Sequence, residues 1–366
     1  MATEAPPPVA DETPVAAFST RPSQAGRRVR RVILVLFLVA IAVLLVLPLT
    51  LTTPAEDAGL DPATLGIDFL INKSIIRLET SIAMFVALAA AWNLIGGLTG
   101  YAAFGNVAFF GLGAYTVAFL TDKLHLNFAF ALPLAPLVAA GFAGLIGLPL
   151  LRLRGHYFAI ATLGTGIAVG EVIKNLPWFG GAAGLFPPIY RHADALFFYL
   201  MAAAAGLAVL ATWLVMRSRL GYGLIAIREN EEAAAVLGVN TTAYKVAAFA
   251  LSAALTGVAG GIFAQWNSFI DQEAVFPIQY SVQMILMAII GGAGTVFGPV
   301  AGAIVLEWLI LTLAGGGANA VYAQIGLGLL LVVTVMFVPR GVVDFFGGSS
   351  RLSLAYLRRS LRETSV

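Results

Sequence analysis

The residues able to do chemistry are few, and their spacing narrows what they can do. His125, His156 and His192 lie too far apart for metal-ligand spacing, and cysteine is absent, so thiolate metal sites, disulfides and redox chemistry drop out. No carboxylates stand paired for acid–base work, and no nucleophile sits beside a base. A GxxxxGK[ST] phosphate loop is missing, and GAGTVFG from Gly292 to Gly298 has the wrong spacing for a dinucleotide fingerprint. The sequence therefore predicts no catalytic residues, no metal, no bound cofactor and no means of hydrolysing ATP alone.

One segment concentrates polar groups. Arg217 to Lys245 reads RSRLGYGLIAIRENEEAAAVLGVNTTAYK, in which Ile225, Ile227, Ala233, Ala234 and Leu237 fall among Arg228, Glu229, Asn230, Glu231 and Glu232. That pattern predicts an amphipathic helix. The acids sit early in a helix drawn over about 229–237, where the macrodipole favours negative charge, and Gly238 is placed to end it. A solvated connector would carry the same pattern, but the isolation of the segment and its apolar face argue for docking onto a partner protein.

Other polar residues lie inside long apolar stretches, where an unpaired charge costs at least about 2.5 to 3.5 kcal/mol. Glu171 has Lys174 three residues on, which predicts a surface pair. Glu307 has no charged neighbour in Ala-Ile-Val-Leu-Glu-Trp-Leu-Ile, so it is expected to face the interior, protonated, paired across helices or lining a wet cavity. Asn93, Asn106, Tyr115, Tyr157, Thr162 and Gln265 are candidates for the lining of a solute path. Residues of these types inside spans are more often interhelical hydrogen-bond partners.

The elements that must position these groups are membrane spans. Sixty per cent of the 366 residues are hydrophobic and only 11% are charged, against roughly 25% charged in a soluble domain. A bilayer absorbs that much apolar surface if each span offers about 20 mostly apolar residues. Such stretches lie near 32–53, 75–96, 100–120, 128–150, 157–176, 195–216, 243–266, 277–296, 298–314 and 321–338. They predict an all-α polytopic membrane protein with about ten transmembrane helices and both termini cytoplasmic.

Charge checks the count. With the amino terminus inside, 16 of the 21 Lys and Arg residues fall on the inner side; Lys73, Arg77, Lys123, Lys174 and Arg191 fall outside. That is a strong positive-inside bias. Dropping one span would put Arg217, Arg219 and Arg228 outside. Residues 1–31 read as a disordered basic cytoplasmic tail, 32–345 as the transmembrane domain with its cytoplasmic loop at 217–245, and 346–366 as a second basic cytoplasmic tail.

Thirty-nine glycines run through the spans, suited to close helix packing or to broken helices along a path. Gly96 to Ala114 and Gly291 to Ala303 share a GG opening, an FG step and a GA close. Two structural halves would leave such an echo, and so would chance among Gly-Ala-rich helices.

Several blocks carry a family resemblance. Ala226 to Gly238 resembles the cytoplasmic coupling region of ABC importer permeases of the branched-chain amino acid (Liv) type, with Glu232-Ala233-Ala234 and Gly238 matching their EAA-x-x-x-G signature. Ala103 to Tyr115 resembles the family's SLGHAAFFGIGAY stretch, departing from it at Ala103-Phe104-Gly105-Asn106. Leu151 to Leu163 is similar to LRLRGxYFAIxTL, and Gly291 to Gly302 to GGxGTxxGPxxGA. Their order is that of the M-type subunit, and the resemblance covers about 75–345.

This resemblance implies that Arg228, Glu229, Asn230, Glu232, Ala233, Ala234, Leu237 and Gly238 couple the chain to two ABC ATPase subunits, which bind ATP and Mg. It implies a second permease subunit in a heterodimer and an extracytoplasmic solute-binding protein. It also implies residence in the lipid bilayer of a bacterial cytoplasmic (inner) membrane, and no nucleic-acid partner. Branched-chain or other amino acids are the expected solutes, with urea or short amides as alternatives. An ion-gradient-driven secondary transporter is the rival reading, and it needs no docking helix.

Overall fold

The computed structural model describes residues 66–190 and 193–314. The spans expected at 32–53 and 321–338, the tails at 1–31 and 346–366 and the side on which each terminus lies fall outside the described residues.

Among the described residues the chain is helical, with short 3-10 turns and one isolated backbone pairing between Leu185 and Ile270. Helix α1, Gly66–Thr99, has 34 residues. Its apolar part has no polar face, so it belongs in the middle of the molecule. There Leu88, Ala89, Ala91, Leu94 and Ile95 are buried. The chain continues through α2 (Val107–Asp122), α3 (Phe128–Ala131), α4 (Leu134–Leu150), α5 (His156–Asn175), α6 (Asp194–Arg217), α7 (Arg219–Glu229), α8 (Glu231–Val236), α9 (Thr241–Asn267), α10 (Gln272–Val275), α11 (Ile278–Gly291) and α12 (Gly298–Ala314). α9 lies along α2 and α4, while α1 lies along α6 and α12.

Six stretches are long and apolar enough to cross a bilayer: Ile75–Thr99, Phe128–Leu150, His156–Asn175, Asp194–Arg217, Thr241–Asn267 and Gln272–Gly291. Two further apolar helices fall short of that length among the described residues. The stretch expected at 100–120 is helical only as the 16 residues of α2, about 24 Å against a hydrocarbon core of about 30 Å. α12, with 17 residues, is the other. Of the ten stretches expected, eight fall on described residues, six of them at full crossing length and two as shorter apolar helices. A glycine turn stands ahead of each of these two helices: Gly100, at φ +75°, follows the end of α1 and Gly292, at φ +119°, the end of α11, a region of backbone space that favours glycine. Each turn then leads into a short helix.

The outer helices suit lipid. Leu137, Leu145, Ile160, Val172, Leu207 and Leu214 on α4, α5 and α6 each leave half or more of their surface bare. Hydrocarbon accepts such surface without the cost that water imposes. Inside, backbones approach closely: a Cβ on Gly113 would run into the Gly257 carbonyl where α2 crosses α9.

Loops sort to two ends as the charge alternation requires. Those expected inside touch one another, through Arg154 with Glu232, Arg228 with Gly97 and Lys245 with Leu151. Those expected outside meet at the other end, where Leu185 pairs with Ile270 and the Gln265 amide donates to the Pro188 carbonyl. An odd number of missed crossings between them would have separated these partners.

Candidate functional site

The segment after α6 folds as two short helices, not the single one expected over 229–237. Asn230 breaks it: its backbone is extended at φ −162°, and its side chain accepts a hydrogen bond from the Ala233 N–H, capping α8. Glu229 therefore ends α7, while Glu231 and Glu232 open α8, where the dipole favours them. Gly238 terminates the turn at φ +88°, as the sequence predicted, and the Val239 N–H reaches back to the Ala234 carbonyl.

α8 turns one side inward and the other outward. Ala234 is 2% exposed, whereas Val236 and Leu237 are 88% and 83% exposed, with Tyr222 and Ile225 also open to solvent on α7. Glu229, Glu232, Ala233 and Gly238 are exposed too. Large bare apolar side chains beside charged ones, on a polar loop outside the spans, make a surface suited to a protein partner.

Inward contacts hold the segment at two points. Arg228 donates from Nη1 to the Gly97 carbonyl at 2.7 Å, placing a cation at the C-terminal end of α1. The same turn is tied to the loop before α12: Asn93 accepts from the Gly294 N–H at 2.7 Å and donates to the Thr295 carbonyl at 2.8 Å. A Cβ on Gly294 would sit 2.6 Å from the Arg228 guanidinium, and its φ is +82°. The two glycine-rich patches of the sequence, around Gly96 and Gly291, thus face each other here.

The second point is Glu231. Its Oε1 accepts from Lys245 Nζ at 2.6 Å and its Oε2 from the Tyr101 hydroxyl at 2.5 Å. Lys245, 3% exposed, also donates to the Tyr101 oxygen and to the Leu151 carbonyl, each at 3.0 Å. All three ammonium hydrogens are used and both carboxylate oxygens are engaged, the condition under which a buried polar network rigidifies its surroundings. Burial alone would raise the Glu231 carboxyl, but hydrogen bonds from Lys245 and Tyr101 and the charges of Lys245 and Arg154 outweigh it and hold it below its ordinary 4.5. Burial, then the hydrogen bond and charge of Glu231, push the Tyr101 hydroxyl up. Arg154 adds an exposed pair to Glu232 at 2.9 Å.

Sequence reasoning counted Glu231 only as an acid favoured by the dipole and left Tyr101 and Lys245 unassigned. Lys245, one turn inside an apolar helix, was the available signal, since an ionisable group there calls for a named partner.

The candidates for a solute path do not form one cluster. Asn106 and Thr162 meet at the start of α2. Asn106 donates to Ser252 at 3.0 Å, Thr162 accepts from the Phe104 N–H at 3.1 Å, and Ser281 accepts from Val107 beside them. Asn93 lies at the Arg228 end, as described above. Tyr115 is buried, its ring tilted against Phe276 and edge-on to Phe179, and Gln265 is buried against Pro188. Buried oxygens of Asn106, Tyr115 and Gln265 lack hydrogen-bond partners among the described residues.

Glu307 faces the interior, 3% exposed, and accepts from Ser81 at 2.7 Å. Glu79, which sequence reasoning passed over, is 4% exposed. Tyr157 instead points outward, 64% exposed beside His156. Glu171 is exposed and forms no ion pair with Lys174 among the described residues. An apolar groove of about 450 Å³ between α1, α6 and α12, lined by residues such as Val86, Val209 and Trp213, offers a polar solute no ligand.

The high-affinity branched-chain amino acid transport system permease protein LivM of Salmonella typhimurium is 30% identical over 310 residues, 75% of this chain and 71% of the relative. The Escherichia coli LivM matches at the same identity and coverage. The autoinducer 2 import system permease protein LsrC of Salmonella paratyphi B is 27% identical over 194 residues, 49% of this chain and 54% of the relative. No solved structure matches the chain. Residues 74–335 match the family described as the permease component of branched-chain amino acid transport systems, so the chain belongs to that permease family.

Proposed function

We propose that this chain is one of two permease subunits of an ATP-driven importer in the bacterial cytoplasmic membrane, and that it passes branched-chain or related amino acids inward from an extracytoplasmic binding protein. Two ABC ATPase subunits supply ATP and Mg chemistry, and this chain supplies the path and the handle. The observation that carries the reading is α8: a capped helix at the end of the bundle, gripped from within at Glu231 and bare outside at Val236 and Leu237. A gradient-driven transporter has no use for such a handle.

ATP-driven closure of the ATPases would displace α8, and the helices tied to it would follow, opening the path to one side and then the other. The family supports an amino-acid solute, since the LivM relatives carry that description and the LsrC relative another. Vesicles holding the complete complex and the binding protein test the proposal. Uptake of leucine, isoleucine or valine should require ATP and survive collapse of the ion gradients. Uptake abolished by an ionophore with ATP present would overturn it, and uptake of urea or short amides in preference to amino acids would reassign the solute.

A further inference from the structure

We propose that Glu231 and Arg228 are positioning residues that hook the coupling segment to two different helix groups, so that one displacement of α8 moves both. This deepens the importer reading and rests on it. Glu231 reaches α9 through Lys245, the turn before α2 through Tyr101 and, by way of the same ammonium group, the end of α4 at Leu151. Arg228 reaches the end of α1 at Gly97 and lies against Gly294 in the loop that joins α11 to α12. The two hooks flank Asn230, the residue at which α7 and α8 part.

Their chemistry suits traction. An apolar helix face can slide over its neighbour at little cost, whereas a carboxylate with both oxygens engaged by a buried ammonium and a phenol cannot leave without stranding two polar groups. The bonds are directional, so motion of the segment is transmitted to α9 through Glu231 on α8 and to α1 through Arg228 on α7. Glu231 is partly buried and Arg228, though exposed, spends its guanidinium on the Gly97 carbonyl, so neither contact uses the bare surface of Val236 and Leu237, where a motor would bind.

The test uses the complete complex in vesicles and the variants Glu231→Gln and Tyr101→Phe, which keep side-chain shape. Three quantities are read: ATPase subunits retained on purification, ATP hydrolysed and solute taken up. Both variants should retain the ATPases and continue to hydrolyse ATP, while solute moved per ATP falls by about tenfold for Glu231→Gln, within the usual span of a coupling free energy, and by less for Tyr101→Phe. The exchanged pair Glu231→Lys with Lys245→Glu should recover part of the ratio.

If the ATPases are lost in step with uptake, Glu231 is a docking residue and the inference fails. If hydrolysis and uptake fall together with the ratio unchanged, its role is structural only and the inference fails. Absence of ATP-driven uptake by the unaltered complex would instead overturn the importer reading, and the hooks with it.

Discussion

The two ends of the bundle are built from different materials. At the α8 end, loops are joined by charge: Arg154 with Glu232, Lys245 with Glu231, and Arg228 with a helix-end carbonyl. At the other end, loops are joined by neutral contacts, among them the Leu185–Ile270 pairing, the Gln265–Pro188 bond and the rings of Tyr115, Phe179, Phe276, Phe186 and Phe269. The one ion pair there between described residues joins chain neighbours, Asp122 and Lys123. Aromatic packing closes a surface and yields to repacking, whereas charge networks fix direction and register. The difference separates an end closed by neutral packing from an end tied by ion pairs and charged hydrogen bonds.

Breaking the charged end at its centre should have the largest effect. Lys245→Met leaves Glu231 half-buried with only the exposed and more distant Arg154 as counter-ion, and loss of one partner of a buried pair costs about 3 to 5 kcal/mol. The melting temperature of the solubilised chain should fall accordingly, while Gln265→Leu at the neutral end, which removes one hydrogen bond, should shift it far less. Comparable losses for the two would erase the contrast.

Next comes Gly294→Ala. Its φ of +82° and the nearby guanidinium oppose a Cβ together, a combined cost of about 1 to 3 kcal/mol in the unfolding midpoint. Removing the cap with Asn230→Ala should cost about 1 kcal/mol, seen as faster hydrogen exchange confined to α8.

Acid sharpens the same comparison. The Glu231 carboxyl is held below its ordinary 4.5 in the folded chain, so its contribution is complete above that pH and is lost as pH falls through the folded value. The stability gap between the unaltered chain and Glu231→Gln should be constant at neutral pH and close in acid; a gap that persists in acid would assign it to shape instead. Arg154→Ala should do least, because its pair with Glu232 is exposed and its contact with Glu231 is long, at 3.9 Å, and only a slight fall in the melting temperature is expected.

Much of this was legible in the sequence because it depends on local rules. The spans follow from runs of apolar residues, the alternation of ends follows from Lys and Arg, and Gly238 was readable as a terminator because a positive φ favours glycine. What was not legible depends on contacts remote in sequence. Glu231 finds Lys245 14 residues on and Tyr101 130 residues back, and nothing in ENEE says which acid turns inward. Asn230 as a break, in place of a continuous helix, was hidden because each neighbour is a tolerable helix former. The outward Tyr157 was hidden because α5 mixes glycine and apolar residues around its whole circumference, so no face stands out. The start of α2 was read several residues early, since hydropathy registers apolar content but not the turn at Gly100 that delays the helix.

The absence of native cysteine makes the central claim directly measurable. Single cysteines placed at Leu237 on α8 and at Phe186 at the opposite end, both exposed, are offered to a thiol cross-linker in the assembled complex. The account predicts that Leu237→Cys joins the chain to an ATPase subunit, that the yield changes on ATP binding, and that Phe186→Cys yields no such product. Cross-linking of the ATPase to Phe186→Cys, or none at Leu237→Cys in a complex that still hydrolyses ATP, would contradict it.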